Sequence, residues 1–162
     1  MKKTILFILS LITLYSCDFP DPIPVEGCTD PNAINYNQNA DINNNTCDFS
    51  ANIIFYLDQN AGIYLYNEGV QKLIFHIDGH NIGSQYNEQG FYTSQVDPEC
   101  FDPVFTTGTS YWSGNSSYKS IMWEVIDENG IVWFNASSQI EANTCLAIQL
   151  TSKNMKNILY NH

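Results

Sequence analysis

Arginine is absent from this sequence, and 6 lysines stand against 17 aspartates and glutamates, which gives a net charge of −11. A protein that binds nucleic acid by neutralising phosphates needs a basic surface, so the composition excludes that class. The same shortage of cations argues against attachment to a membrane surface through a polybasic patch. Charged residues are scarce, at 14%, and Asn (19) and Tyr (10) supply polarity instead, a composition common in exported β-proteins.

A long hydrophobic run is also missing. The longest apolar stretch covers residues 4–15, and a helix of that length extends about 18 Å, well short of the roughly 30 Å of a bilayer core. It follows Lys2 and Lys3, and a short apolar run after a positive start is the layout of a signal peptide. With 162 residues, 44% of them apolar, the chain can form one packed domain plus appendages.

The apolar run ends in Leu14-Tyr15-Ser16-Cys17, which resembles the lipobox of bacterial lipoproteins. The resemblance implies a signal peptide over residues 1–16, cleavage before Cys17 and acylation of the Cys17 thiol with palmitate-type chains. Two or three chains anchor a protein stably where one would not. A plain secretory signal with a Cys nearby is the alternative. The expected location is the outer membrane, on the cell surface or the periplasmic face.

Residues 17–26 form an acidic, proline-rich tether in this interpretation. Alternating prolines fix φ and remove hydrogen-bond donors, which favours a polyproline-II segment that holds the body about 30 Å from the lipid. Asp18, Asp21 and Glu26 are similar to the acid-rich segment that marks surface export of lipoproteins in the Bacteroidota. A solvated acidic linker is the alternative. Loss of Lys2 and Lys3 changes the balance to 4 − 17 = −13.

Five cysteines leave an even number once Cys17 is lipidated. An even count in an exported protein predicts disulfides, and four cysteines allow three connectivities. We choose Cys28–Cys47 and Cys100–Cys145, because the first pair brackets a short polar segment and the second the stretch between two predicted strands. A zinc site is the competing interpretation, and the sequence has no C-x₂-C spacing to support it.

Residues 27–49 begin Gly-Cys-Thr-Asp-Pro-Asn-Ala-Ile-Asn-Tyr-Asn and end at Cys47-Asp48-Phe49. This closely resembles a G-C-T-D-P-x-A-x-N-Y-N…D-D-G-S-C module of secreted Bacteroidota proteins. The acids of that family suggest calcium ligation, with Asp30, Asp41, Asn43 and Asn45 as a weak candidate set here. Amides supply oxygen without charge, so we expect a disulfide-held spacer and no binding tighter than about millimolar.

Residues 51–150 alternate apolar and polar side chains between Gly, Asn and Asp turns, which predicts a single antiparallel β-sandwich. Pro98 and Pro103 suggest an edge position for the strand near them. No helical period is found after residue 50, except in the tail (151–162) at residues 152–160. The predicted strands are 52–57, 62–66, 71–77, 81–86, 100–106, 109–113, 120–126, 131–138 and 144–150.

This body also resembles a small sandwich domain of Bacteroidota lipoproteins. The matching places are Phe55-Tyr56, Ile77-Asp78-Gly79, Trp133 and residues 145–150, Cys-Leu-Ala-Ile-Gln-Leu. The resemblance implies an immunoglobulin-like or transthyretin-like fold, often of unassigned function. It covers about 100 residues and leaves the tail without a counterpart.

Candidate chemistry is sparse. His76, Asp78 and His80 surround a predicted hairpin and could converge on a metal, although a cross-strand surface pair is the commoner outcome. No nucleophile elbow or phosphate-binding glycine loop occurs,. A carboxylate pair for glycoside hydrolysis stays open, but nothing singles out one pair. We therefore expect a non-enzymatic protein without a cofactor.

Aromatic residues suggest the alternative function. Tyr111, Trp112 and Tyr118 flank the loop 113–117, Ser-Gly-Asn-Ser-Ser, and aromatic faces beside hydroxyl and amide donors suit sugar stacking. The sequence thus predicts a lipid-anchored surface interaction or structural module. The alternative is a surface carbohydrate-binding module, so the partner is a protein or a glycan, with no nucleic acid.

The anchor can be tested directly. We expect Cys17→Ser to move the protein from the membrane fraction to the soluble fraction and to abolish labelling by radioactive palmitate, because the serine lacks the thiol that carries the lipid. A serine variant that stays membrane-bound, with a parent that takes up no label, would contradict the lipoprotein interpretation.

Overall fold

The computed structural model describes residues 22–88 and 90–156. The predicted signal peptide, Cys17, residues 18–21 of the tether and residues 157–162 of the tail lie outside these ranges. Within them, no helix is long and apolar enough to cross a membrane. The elements are β1 (Glu26–Gly27), β2 (Ile42–Asn43), β3 (Cys47–Leu57), α1 (Gln59–Asn67), β4 (Lys72–Ile77), β5 (His80–Tyr86), β6 (Thr106–Gly114), β7 (Tyr118–Asp127), β8 (Val132–Glu141), β9 (Cys145–Leu150) and a 3₁₀ turn (Ser152–Asn154).

Two sheets form a sandwich, as predicted. One has the strand order β6-β3-β9 and the other β5-β4-β7-β8. They pack through aromatic contacts: the Phe55 ring lies 5.3 Å from the Phe75 ring and 5.6 Å from the Trp123 ring. The expectation of a purely antiparallel sandwich is wrong, because β9 pairs with β3 in parallel. The long stretch between them, which includes the other sheet, allows this crossover.

β3 is buried on both faces. Ile53, Phe55 and Leu57 point into the core between the sheets, and Ile54 and Tyr56 on the opposite face are also buried. The continuous apolar run at residues 53–57 reflects this double burial. β3 starts at Cys47, five residues before the predicted start, so it runs through the predicted boundary between the module and the sandwich.

Helix α1 replaces the predicted strand 62–66. Asp58 caps it, because its Oδ1 accepts a hydrogen bond from the Ala61 amide at 2.6 Å,. Ala61 and Leu65, four residues apart, face the core. The alternation of Ile63 to Tyr66 imitates a strand, and the cap and the i, i+4 pair were the helix signals that we missed.

The predicted strand 100–106 is also wrong, since residues 100–105 form turns and β6 begins at Thr106. Pro98 and Pro103 lie in the segment before β6, and β6 is an edge strand of its sheet, as the prolines indicated. The tail forms a 3₁₀ turn at Ser152–Asn154. The rest of its predicted helix lies largely outside the described residues.

Both disulfides are present with the predicted pairing. Cys28–Cys47 lies in a small buried cluster with Ala33, Phe49 and Ala142, where it joins the module to the start of β3. Cys100–Cys145 joins the segment before β6 to the first residue of β9. The module is therefore fastened to the sandwich by a continuous strand and by a covalent bond.

Residues 91–105, which we name the cross-linked loop, are attached to the outer side of β3. The Ser94 amide donates to the Leu57 carbonyl at 2.9 Å, and the Tyr56 hydroxyl hydrogen-bonds to the Asp97 carboxylate. Tyr56 also packs edge-on against Phe105, at 6.3 Å between ring centroids. Together with Cys100–Cys145, these contacts account for the burial of Tyr56.

Burial, the hydrogen bond to Asp97 and the charge of Asp97 together raise the pKa of Tyr56 to about 12, from 10.0. Below pH 10 this tyrosine is protonated in both the folded and the unfolded chain. Between about pH 10 and 12 the unfolded chain loses the proton and the folded chain keeps it, so folding stability falls as pH rises.

We therefore expect the free energy of unfolding of the parent to decrease more steeply from pH 9 to 11 than that of Tyr56→Phe, measured by urea denaturation. The phenylalanine variant is the matched control, because it keeps the ring and every other titrating group. Equal slopes for the two proteins would show that Tyr56 has no raised pKa in the folded state.

Candidate functional site

The hairpin residues His76, Asp78 and His80 do not converge. His76 pairs with Asn81 across the hairpin, whereas His80 pairs with Ile77. Paired residues share a face and neighbouring residues alternate, so the two histidines point to opposite faces. His76 Nδ1 lies 3.6 Å from Glu124 Oε1. The hairpin does not build the metal site that the sequence suggested.

Asp78 instead fastens the hairpin to β7. Its Oδ2 accepts a hydrogen bond from Lys119 Nζ at 2.7 Å, and its Oδ1 accepts one from the Met122 amide at 2.9 Å. Lys119 also donates to Ser110 Oγ, on β6 of the opposite sheet, at 3.0 Å. Lys119 therefore links the two sheets at this end of the sandwich.

The charge balance at Asp78 follows from these contacts. Partial burial by itself raises the pKa of Asp78, but the hydrogen bonds from Lys119 and Met122 and the positive charge of Lys119 outweigh it, with His80 adding to them. The net effect is a lowered pKa, so the carboxylate stays ionised and keeps its lysine partner.

The side chains of Asp30, Asp41 and Asn43, three of the four candidate calcium ligands, accept hydrogen bonds from backbone amides. Asp30 Oδ1 accepts from the Asn32 amide at 2.8 Å, Asp41 Oδ2 from Val25 at 3.1 Å and Asn43 Oδ1 from Asn45 at 3.0 Å. Asn45 has a φ of 63°, the glycine-like conformation that asparagine tolerates. In the part of the chain that is described, no group of three His, Cys, Asp or Glu is placed to hold a metal ion.

The three aromatics proposed for glycan stacking occupy different environments. Trp112 stacks on Phe49 at 5.7 Å, and its Nε1 donates to the Ser116 carbonyl. Tyr111, its neighbour on β6, therefore points to the other face and is 70% exposed. Tyr118 lies on the other sheet and donates its hydroxyl to Glu141 at 2.9 Å. The structure does not bring the three rings into one row.

The cross-linked loop exposes apolar side chains to solvent. Val96 is 73% exposed and Phe101 68%, and Val104 is also exposed. Hydrogen bonds within the loop fix its shape: the Val104 amide donates to Asp102 Oδ1 at 3.0 Å, and the Asp102 amide donates to the Glu99 carbonyl at 3.1 Å. The sequence did not predict these exposed apolar side chains, because residues 100–106 were assigned to a strand.

A cleft of about 780 Å³ opens between β5 and the two ends of the cross-linked loop. We name it the β5 cleft; it is bounded by residues 84–86, by Glu88, by residues 90–93 and by residues 103–106. Tyr86 and Tyr92, both more than half exposed, belong to its lining. The two edge strands approach closely beside it, because Gly83 leaves room for Thr106: a Cβ at residue 83 would lie 2.8 Å from the Thr106 methyl.

No known protein family, no curated protein and no solved structure matches this chain. The β-sandwich is therefore established by the coordinates, and the site must be interpreted from its own geometry.

Proposed function

We propose that this protein is a lipid-anchored, exported surface protein that acts as a non-catalytic interaction module, with the cross-linked loop as its contact surface. The signal sequence and Cys17 support the anchor, and the acidic tether supports presentation at the cell surface. The observation that supports this contact surface is the backbone conformation of Phe101.

Phe101 adopts a φ of 68°, a left-handed conformation that is rare for a bulky side chain. Such strain costs about 1–3 kcal/mol and persists only where the surroundings enforce it. Here the Cys100–Cys145 bond precedes it, and its own amide donates to Thr107 Oγ1 at 3.1 Å. The strained backbone holds an aromatic ring out in solvent, which is the placement of an interface anchor.

The charges beside Phe101 indicate the chemistry of the partner. Glu99 and Asp102 lie within three residues of it, and the mature chain is strongly acidic. An anionic membrane would be repelled, whereas a protein with an apolar pocket and a cationic rim would be attracted. We therefore expect a basic protein partner at the loop.

Site-specific photo-crosslinking in the native host tests this proposal. With p-benzoyl-phenylalanine in place of Phe101 we expect one discrete adduct, weakened several-fold when Glu99→Gln and Asp102→Asn are added. The same probe at Met122, which is exposed on the other sheet, is the matched control. No adduct at position 101, or the same adduct at both positions, would contradict the loop as the contact surface.

Carbohydrate binding is the second candidate function. The observation that favours it is the β5 cleft, where exposed tyrosines stand beside hydroxyl and amide groups. This support comes from the residues that line the cleft. Tyr111, Trp112 and Tyr118 do not contribute to it, because their rings do not form one row.

A further inference from the structure

We infer that the β5 cleft is a binding site for a short, neutral, hydroxyl-rich ligand, that is, a glycan segment of a few sugar rings. The inference rests on the second candidate function and gives it a location and a ligand class. It is independent of the loop tip around Phe101.

The size and walls of the cleft suit sugar rings. Its volume of about 780 Å³ lies within the range of small-molecule sites, roughly 300–1,000 Å³. Tyr86 and Tyr92 are 58% and 55% exposed, and a flat aromatic face packs against the C–H face of a pyranose. Lys72 Nζ lies 4.9 Å from the centre of the Tyr86 ring, and this cation–π contact helps to fix that ring.

The polar groups of the cleft match a hydroxyl-bearing ligand. Ser84, Thr93 and Thr106 contribute hydroxyls to the lining, and a hydroxyl can donate or accept. Gln85 also lines the cleft, and its Nε2 is buried without a hydrogen-bond partner among the described residues. An unpartnered buried donor is costly. A ligand oxygen that reached this amide would satisfy it.

The electrostatics select against anionic ligands. Among the described residues that line the cleft, Glu88 is the one with a charged side chain, and the mature chain carries few cations. Phosphate, sulfate and uronate groups need cationic or clustered amide donors, and the field of an acidic protein repels them. Lys72, which lies over the Tyr86 ring, does not belong to the lining. Hydrogen-bonding groups beside aromatic rings, with Glu88 as the charged lining residue, favour a neutral sugar.

The experiment uses the soluble chain from Asp18 and isothermal titration with neutral hexasaccharides: cello-, xylo-, laminari-, manno- and malto-hexaose. A sulfated heparin hexasaccharide is the anionic comparison. We expect at least one neutral sugar to bind with a Kd between about 10 μM and 1 mM, and the sulfated one to show no binding. Tyr86→Ala and Tyr92→Ala should each weaken binding about tenfold or more, and Gln85→Leu should weaken it several-fold.

Tyr111→Ala is the matched control, since Tyr111 is more exposed than the cleft tyrosines but is not part of the cleft lining. It should change the Kd less than twofold. Circular dichroism and melting curves of each variant verify folding. Binding lost in Tyr111→Ala but kept in Tyr86→Ala and Tyr92→Ala would overturn the location. No binding by any neutral sugar up to 5 mM, or tighter binding of the sulfated one, would overturn the ligand class.

These results are separate from the proposed interaction at the loop tip. Photo-crosslinking at position 101 can succeed when every sugar fails, and the sugars can bind when position 101 yields no adduct. Failure of the cleft inference therefore leaves the proposed surface-interaction function standing, and the reverse also holds.

Discussion

The double burial of β3 is the constraint on which the rest of the structure depends. Phe55 and Leu57 need the four-stranded sheet on one side, and Ile54 and Tyr56 need a cover on the other. On that outer face, the Asp97 carboxylate and the Phe105 ring of the cross-linked loop contact Tyr56. The chain must then hold an irregular segment of 15 residues against a sheet, which packing alone would do weakly because much of the loop faces solvent.

A disulfide and several hydrogen bonds hold this loop against the sheet. Cys100–Cys145 spans 45 residues, and closing a loop of that length stabilises the fold by about 4 kcal/mol when the entropy of the unfolded chain is considered. The Tyr56–Asp97 hydrogen bond and the backbone contact to Leu57 fix the other half of the loop. Because the inner side of the loop is attached to the sheet, its outer side can expose Val96 and Phe101 to solvent. The β5 cleft lies at the two ends of this loop.

Sequence reasoning succeeded where one local signal agreed with the tertiary environment. The apolar runs of β3, β4 and β7 and the turn at Asp78-Gly79 were sufficient for the sandwich. The even number of cysteines and the segments that they bracket were sufficient for both disulfides. It failed where local and tertiary signals diverged. Residues 63–66, Ile-Tyr-Leu-Tyr, alternate aliphatic and aromatic side chains as a strand would. The Asp58 cap and the core contacts of Ala61 and Leu65 instead favour a helix. Residues 100–106 look extended, yet Cys100 and the left-handed Phe101 turn the chain.

The sequence suggested sugar contacts at Tyr111, Trp112 and Tyr118, whereas the cleft in the structure is lined by other residues. The sequence does not show that Trp112 packs on Phe49, or that β5 and residues 103–106 lie beside each other. The first fact depends on the register of β3 with β6, in which Phe49 pairs with Trp112, and the second on Gly83, which leaves room for Thr106. Both are long-range features. The Cys100–Cys145 disulfide, which was chosen from the segments that the cysteines bracket, fixes the loop that carries Phe101.

The most direct test of this account is amide hydrogen exchange on the parent and on Cys100→Ala/Cys145→Ala. If the cross-linked loop is the cover of β3, the double variant should lose protection selectively in residues 53–57 and 91–105, while β4, β7 and β8 keep theirs. Unchanged protection in residues 53–57, or a uniform loss across both sheets, would show that the loop and its disulfide do not have the role assigned to them.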